Sequence, residues 1–400
     1  MSLSKAFTVL LIGIVMTSAR GQQFGFSLPQ DSTYSKVFFN INNNLITIPL
    51  GLNGKVQIRV IVDTSIEHTI LTSSKLAEDY GVELLRKISL GSTSDGPLVG
   101  YSANGAFLEL RDGTQTGYNH SIMVLEYDFL GLSTTAQTVV HGIIGRDLFG
   151  RFVVEFDNDK QVMTLWEPAS FKPPTGYDAV PLKFENGEVK VFVKSAFQNW
   201  EEQEDYFILK TGAPHTILYD SKENIFNVPY KNVETTLGRG SGGEIKGNVG
   251  RTRTVQIGSY TFEEPIASFT SDQLEGKNRG SVGMGLLSRF NFIVDFHGAT
   301  LYQKPNRLFG KSFEFDMSGI KITPEGDKFF ISYVQKDSPA AKVGLQVGDE
   351  VLAINGTELT AKNFTEESSV FASKPDKKVT LRILQRGTES EVSFRLVRFI

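Results

Sequence analysis

Val62-Asp63-Thr64-Ser65-Ile66-Glu67-His68-Thr69-Ile70-Leu71 is answered later in the chain by Leu209-Lys210-Thr211-Gly212-Ala213-Pro214-His215-Thr216-Ile217-Leu218. Five of the ten positions are identical, at a constant offset of 147. A second pair follows in the same order: Gly145 with Phe152-Val153-Val154-Glu155-Phe156, against Gly285 with Phe292-Ile293-Val294-Asp295-Phe296, at an offset of 140. Two ordered matches imply an internal duplication. Around them run alternating or β-branched segments, Leu45–Leu50, Val56–Val62, Ala106–Leu110, Ser121–Tyr127 and Phe152–Phe156. Turn signals such as Asn53-Gly54, Asp95-Gly96-Pro97 and Asp112-Gly113 separate them. Helical stretches are few, the clearest being Ser73–Tyr80. The pattern predicts a mainly β chain with two duplicated lobes, residues 27–168 and 177–305, linked through Lys172-Pro173-Pro174-Thr175-Gly176.

At 400 residues the chain has room for two to three domains. Its 41 Lys+Arg against 45 Asp+Glu leave −4 with both signs dispersed, which argues against a nucleic-acid partner. With 0 cysteines, disulfides, thiolate zinc sites and a thiol nucleophile are excluded. His120, His141 and His297 lack metal-ligand spacing, so no metal is expected. His68 and His215 match each other between the halves and read as a repeated structural pair. Gly238-Arg239-Gly240-Ser241-Gly242-Gly243 fits G-x-G-x-x-G but leads into the β-like Arg251–Ile257 run, not a helix. A glycine-rich hairpin fits better than a dinucleotide site, and Gly96–Gly105 is its counterpart in the first half; no cofactor is expected.

Residues 1–21 read as a signal peptide. Lys5 precedes the run Ala6–Met16, and Ala19-Arg20-Gly21 offers a small-residue cleavage site. As a helix that run spans about 16 Å, against a bilayer of roughly 30 Å. The expectation is an exported protein, periplasmic or secreted, with no membrane span after cleavage.

The duplicated segments resemble the aspartic peptidases, pepsin-like and retropepsin-like alike. In that family each lobe carries an apolar-apolar-Asp-Thr/Ser-Gly turn and, later, a strand ending in apolar-apolar-Gly. Ile61-Val62-Asp63-Thr64-Ser65 and Gly142-Ile143-Ile144-Gly145-Arg146-Asp147-Leu148 match these elements in the first half. Leu209-Lys210-Thr211-Gly212-Ala213 and Val282-Gly283-Met284-Gly285-Leu286 match them in the second. The resemblance implies two acid-protease-type β-barrel lobes and a polypeptide substrate or ligand between them. It also implies a dyad at Asp63 and position 210, supported by Thr64, Ser65, Thr211 and Gly212. Two carboxylates so close share one proton, which lets one activate water while the other protonates the product.

Lys210 replaces the second acid, and Ser65 stands in place of Gly, adding a Cβ and a hydroxyl to a tight turn. Opposite charges ~4 Å apart attract by about 4 kcal/mol at an effective dielectric of 20, so Asp63 and Lys210 are expected to pair. No proton is then shared between carboxylates, and the expectation is a peptide-binding pseudopeptidase. The alternative is an active aspartic endopeptidase using Asp63 with another acid; Glu67, Asp205 and Asp220 lie near the motifs.

From residue 310 to residue 400 the pattern changes. Phe329–Val334 precedes Asp337-Ser338-Pro339-Ala340-Ala341-Lys342-Val343-Gly344-Leu345, then Gly348-Asp349-Glu350-Val351-Leu352-Ala353-Ile354-Asn355-Gly356. Ser338-Pro339 caps and opens a short helix, Gly344 ends it, and Gly348-Asp349 and Asn355-Gly356 turn the chain. This stretch resembles a PDZ domain. The resemblance implies that a C-terminal or extended peptide adds as a strand, its carboxylate held by backbone N–H groups of the preceding loop. That loop is expected at Ser318, Gly319, Ile320, Lys321 and Ile322, and the docking strand at Phe329–Val334, with Phe330 and Ser332 in contact.

Overall fold

The computed structural model describes residues 25–93, 96–110, 115–198, 202–220, 228–240, 243–270 and 279–400; the expected signal peptide lies outside the described residues. The chain is mainly β. Its described strands form sheets of nine, fifteen and six. The helices are short, and Ser74–Asp79 is capped by the Ser73 hydroxyl, which accepts from Leu76 N at 3.1 Å.

The same local pairing occurs twice. Strand Gly142–Ile144 lies parallel to Val60–Val62 and antiparallel to Ile70–Leu71. Strand Gly280–Val282 lies parallel to Ile208–Leu209 and antiparallel to Ile217–Tyr219. Each middle strand is squeezed between two backbones, so its first residue must be glycine. A Cβ on Gly142 would stand 2.1 Å from Ile70 O, and one on Gly280 would stand 2.0 Å from Leu218 O.

A strip of six strands joins the halves in the order Tyr34–Phe38, Val162–Trp166, Val153–Asp157, Phe290–Asp295, Thr300–Pro305, Asp178–Glu185. At its centre Val154 faces Val294, Glu155 faces Ile293, and Phe156 faces Phe292. Phe156 and Phe292 stack with centroids 4.7 Å apart above this pairing. The strip corrects one alignment. The hairpins turn after Asp157 and Asp295, and the helices Arg146–Phe149 and Met284–Leu287 start after Gly145 and Gly283. Gly145 therefore corresponds to Gly283, not Gly285, and the second offset is 138 rather than 140. Side chains alternate with period two along a strand, so a two-residue slip preserves the inward set and hides in the sequence.

One apolar core runs through both halves, from Phe26 to Phe313. Met317–Leu396 encloses a separate core containing Ile320, Phe329, Ile354, Phe364 and Leu381. The connector between them is clamped. Arg289 donates to Leu308 O at 3.0 Å and to Ser312 O at 3.2 Å, and its guanidinium lies 3.5 Å from the Phe313 ring centroid. Arg398 donates to both oxygens of Glu314, at 2.6 and 2.8 Å. Ile400 packs with Val233 and Val249 of the hairpin formed by Asn232–Gly240 and Gly243–Arg251. Of the G-x-G-x-x-G residues, Gly238, Arg239, Gly240 and Gly243 lie in the strands of that hairpin, and Ser241 and Gly242 lie outside the described residues. Among the described residues no helix is long and apolar enough to cross a membrane.

Candidate functional site

The strand Val56–Val62 carries Asp63 at its end, and Asp63 N bonds to Ile144 O at 3.0 Å. The strand Glu202–Leu209 carries Lys210 in the same way, with Lys210 N bonded to Val282 O at 2.9 Å. The residues that follow are locked together. Thr64 Oγ1 donates to Leu209 O at 2.5 Å and accepts from Thr211 N at 3.2 Å. Thr211 Oγ1 donates to Val62 O at 2.9 Å and accepts from Thr64 N at 3.0 Å. Both threonines are 0% exposed, so each hydroxyl replaces the water its partners lost on burial.

This cross-brace sets Asp63 against Gly212. A Cβ on Gly212 would lie 2.4 Å from Asp63 Oδ2. Asp63 is 6% exposed, and its Oδ1 accepts from Ser65 N and Ser65 Oγ, both at 2.9 Å. Ser65 thus supplies two donors to the acid.

The expected ion pair is not made: among the described residues none joins Asp63 to Lys210. Ser65 meets the Asp63 charge instead, and the charge of half-buried Lys210 acts on His215. The two matched histidines also part company. His68 is exposed beside Glu67, whereas His215 Nε2 lies 3.0 Å from Ser281 Oγ. Of the alternative acids, Glu67 is exposed and Asp205 accepts from Arg279 at 3.3 Å; neither hydrogen-bonds Asp63. Asp147 has a structural role, its Oδ2 accepting from Thr69 N and Thr69 Oγ1, both at 2.8 Å. Two concavities of about 610 and 630 Å³ lie elsewhere, one beside Arg59 and His141 and one along the connector at Arg251 and Phe313.

Burial, then the Lys210 charge, push the His215 imidazole from 6.5 down to about 3. A base held neutral in the fold stabilises fully above its unfolded value and loses that stability as pH falls towards its folded one. The loss between pH 6.5 and about 3, discounted for the partial exposure of His215, is on the order of 2–4 kcal/mol. The urea midpoint should fall across that window, and His215→Asn should flatten the fall; an unchanged slope in the variant would assign it to other groups.

The six-stranded sheet offers a second candidate site. Its order is Ile320–Glu325, Lys328–Val334, Glu350–Ile354, Lys378–Gln385, Thr388–Arg395, with Thr357–Glu358 paired to Glu350–Ile354 off this path. Strand Lys328–Val334 has neighbours on both sides: it pairs with Ile320–Glu325, and Ile331 exchanges bonds with Asp349 O at 2.9 Å and Gly348 N at 2.8 Å. An added peptide strand needs an open edge. Ile320–Glu325 is the open edge of the sheet, whereas Phe330 and Ser332 of the expected docking strand lie on an interior strand. Ser332 Oγ is engaged by Thr323 Oγ1 at 2.7 Å and by Lys321 O at 3.2 Å. Gly319, Ile320, Lys321 and Ile322 lie at or beside the start of the edge strand, where the carboxylate loop was expected.

Residues 330–385 match the PDZ domain family, and the chain contains a PDZ domain. A segment of 116 residues is 29% identical to the carboxy-terminal processing protease CtpB of Bacillus subtilis, covering 28% of this chain and 24% of that protein. A segment of 79 residues is 35% identical to a carboxyl-terminal-processing protease of Synechocystis, covering 20% and 18%. The chain spans about a quarter or less of the length of these curated relatives. The solved structure of Basic 7S globulin from soybean aligns with a TM-score of 0.42 at 10% identity, over 70% of this chain and 97% of that one.

Proposed function

We propose that this chain is an exported, protease-like polypeptide-binding protein. In this reading, residues 27–168 and 177–305 form a two-lobed scaffold of aspartic-peptidase type, and residues 310–400 add a peptide-docking PDZ domain. Catalysis is impaired because Lys210 occupies the position of the second acid. The observation that carries the reading is the reciprocal Thr64–Thr211 brace, which sets the Asp63 and Lys210 turns side by side with Asp63 against Gly212. Among the described residues Asp63 is bonded by Ser65 and by no second carboxylate, so in this reading water between the turns lacks the paired acid and base that hydrolysis needs. Binding needs no such pairing, because an extended chain is held by backbone hydrogen bonds and side-chain pockets.

The test is incubation of the purified chain with a reduced, unfolded protein at acid and neutral pH, beside an Asp63→Asn variant. Retention of the unfolded protein without cleavage is expected for both. Cleavage by the natural chain that disappears in Asp63→Asn would establish the active endopeptidase instead.

A further inference from the structure

The loop entering the edge strand of the PDZ domain is already occupied by a carboxylate of the chain itself. Asp316 Oδ1 accepts from Ser318 N at 2.9 Å, from Ser318 Oγ at 2.7 Å and from Gly319 N at 2.8 Å. Ser318 Oγ in turn accepts from Ile320 N at 3.2 Å. Three consecutive N–H groups that lead into the docking strand thus have partners inside the loop. Met317 N donates to Phe371 O at 2.9 Å, which ties the loop to the short helical segment Ser369–Ala372.

We infer that the Ile320–Glu325 groove takes an internal extended segment of a polypeptide and does not select a free C-terminal carboxylate, because Asp316 stands in the place of that carboxylate. The inference rests on the peptide-docking reading of the PDZ domain and specifies its ligand. A terminal carboxylate arriving here finds the first N–H groups of the loop engaged and a like charge beside them. Burial raises the Asp316 carboxyl to about 6, so at neutral pH and above the resident group and the visitor are both anions. An internal segment brings no charge to this end of the groove. It needs only the open backbone edge, which Pro324 tolerates because an edge strand can lack one ladder N–H.

The experiment uses the full chain, immobilised, and one random decapeptide pool synthesised in two forms, with free C-terminal carboxylates and with C-terminal amides. The natural chain should retain the two forms within about twofold of each other. Asp316→Ala empties the loop and should retain the carboxylate form at least tenfold over the amide. Should that variant fold poorly, Asp316→Asn keeps an acceptor oxygen without the charge, and a ratio near threefold is expected. A tenfold carboxylate preference in the natural chain, or an unchanged ratio in folded Asp316 variants, overturns the inference while leaving peptide docking standing. Retention of neither pool by any form overturns the docking reading itself, and this inference with it.

Discussion

Thr211→Val should destabilise the two-lobed part of the chain by about 2–5 kcal/mol, the largest effect expected of any single side-chain change near Asp63. Valine matches threonine in shape, so the cavity contribution is small and the loss is polar. The hydroxyl both donates to Val62 O and accepts from Thr64 N, and a fully buried group left without its partner costs about 1–3 kcal/mol. Thr211→Ser keeps the oxygen and loses a methyl, so it should cost no more than about 1.5 kcal/mol. Thr64→Val removes the mirror-image bonds, to Leu209 O and from Thr211 N. Because the two residues share a network, the double variant should fall short of the sum by about 1–3 kcal/mol. Urea unfolding followed at a probe in residues 27–305 reads this separately from the PDZ domain, whose core is its own. A cost under 1 kcal/mol for Thr211→Val would mean that the brace does not hold the halves together.

The residues of this brace were legible in the sequence because each threonine sits in a ten-residue segment that occurs twice. The pairing of charges beside it was not. Asp63 is a short side chain, and Ser65, two residues on, captures it through the same Asp-x-Ser turn that recurs at Asp316 and Ser318. Lysine ends a flexible four-carbon stem, and where its charge comes to rest depends on the packing around it.

The PDZ domain was legible for a different reason: its turns need particular residues. Ser338 Oγ accepts from Ala341 N at 3.1 Å, Pro339 opens the helix, and Gly344 and Gly348 take φ of 85° and 94°. Which strand is the edge was not legible, because Phe329 and Ile331 of the interior strand alternate inward as convincingly as residues of any edge strand. Alternation reports which face is buried and says nothing about which strand is outermost. The signal that separates the two candidates is Pro324, since a proline inside a strand marks an edge.

On the proposed reading, Lys210→Asp should yield a chain that cleaves unfolded polypeptide at acid pH. The backbone is ready for the exchange. Position 210 hangs from Val282 O as Asp63 hangs from Ile144 O, and the reciprocal threonines lock both turns. A carboxylate at 210 has Gly212 N two residues on, as Asp63 has Ser65 N. Two acids so placed cannot both ionise freely, so they hold one proton between them and lose it as the pH rises, which fixes the optimum on the acid side. Paired general acid and base action is worth about 10²–10⁴-fold, and a gain of at least about 100-fold over the natural chain is expected. The gain must vanish in the Asp63→Asn, Lys210→Asp double variant, which separates it from a contaminating protease. An independent readout comes from His215. Losing the Lys210 cation removes the second cause of its depressed pKa, so the imidazole should titrate higher than about 3 by NMR, while burial still keeps it below 6.5. A folded variant in which His215 moves as expected, yet no cleavage appears at any pH, would show that the two turns do not present their side chains to one another.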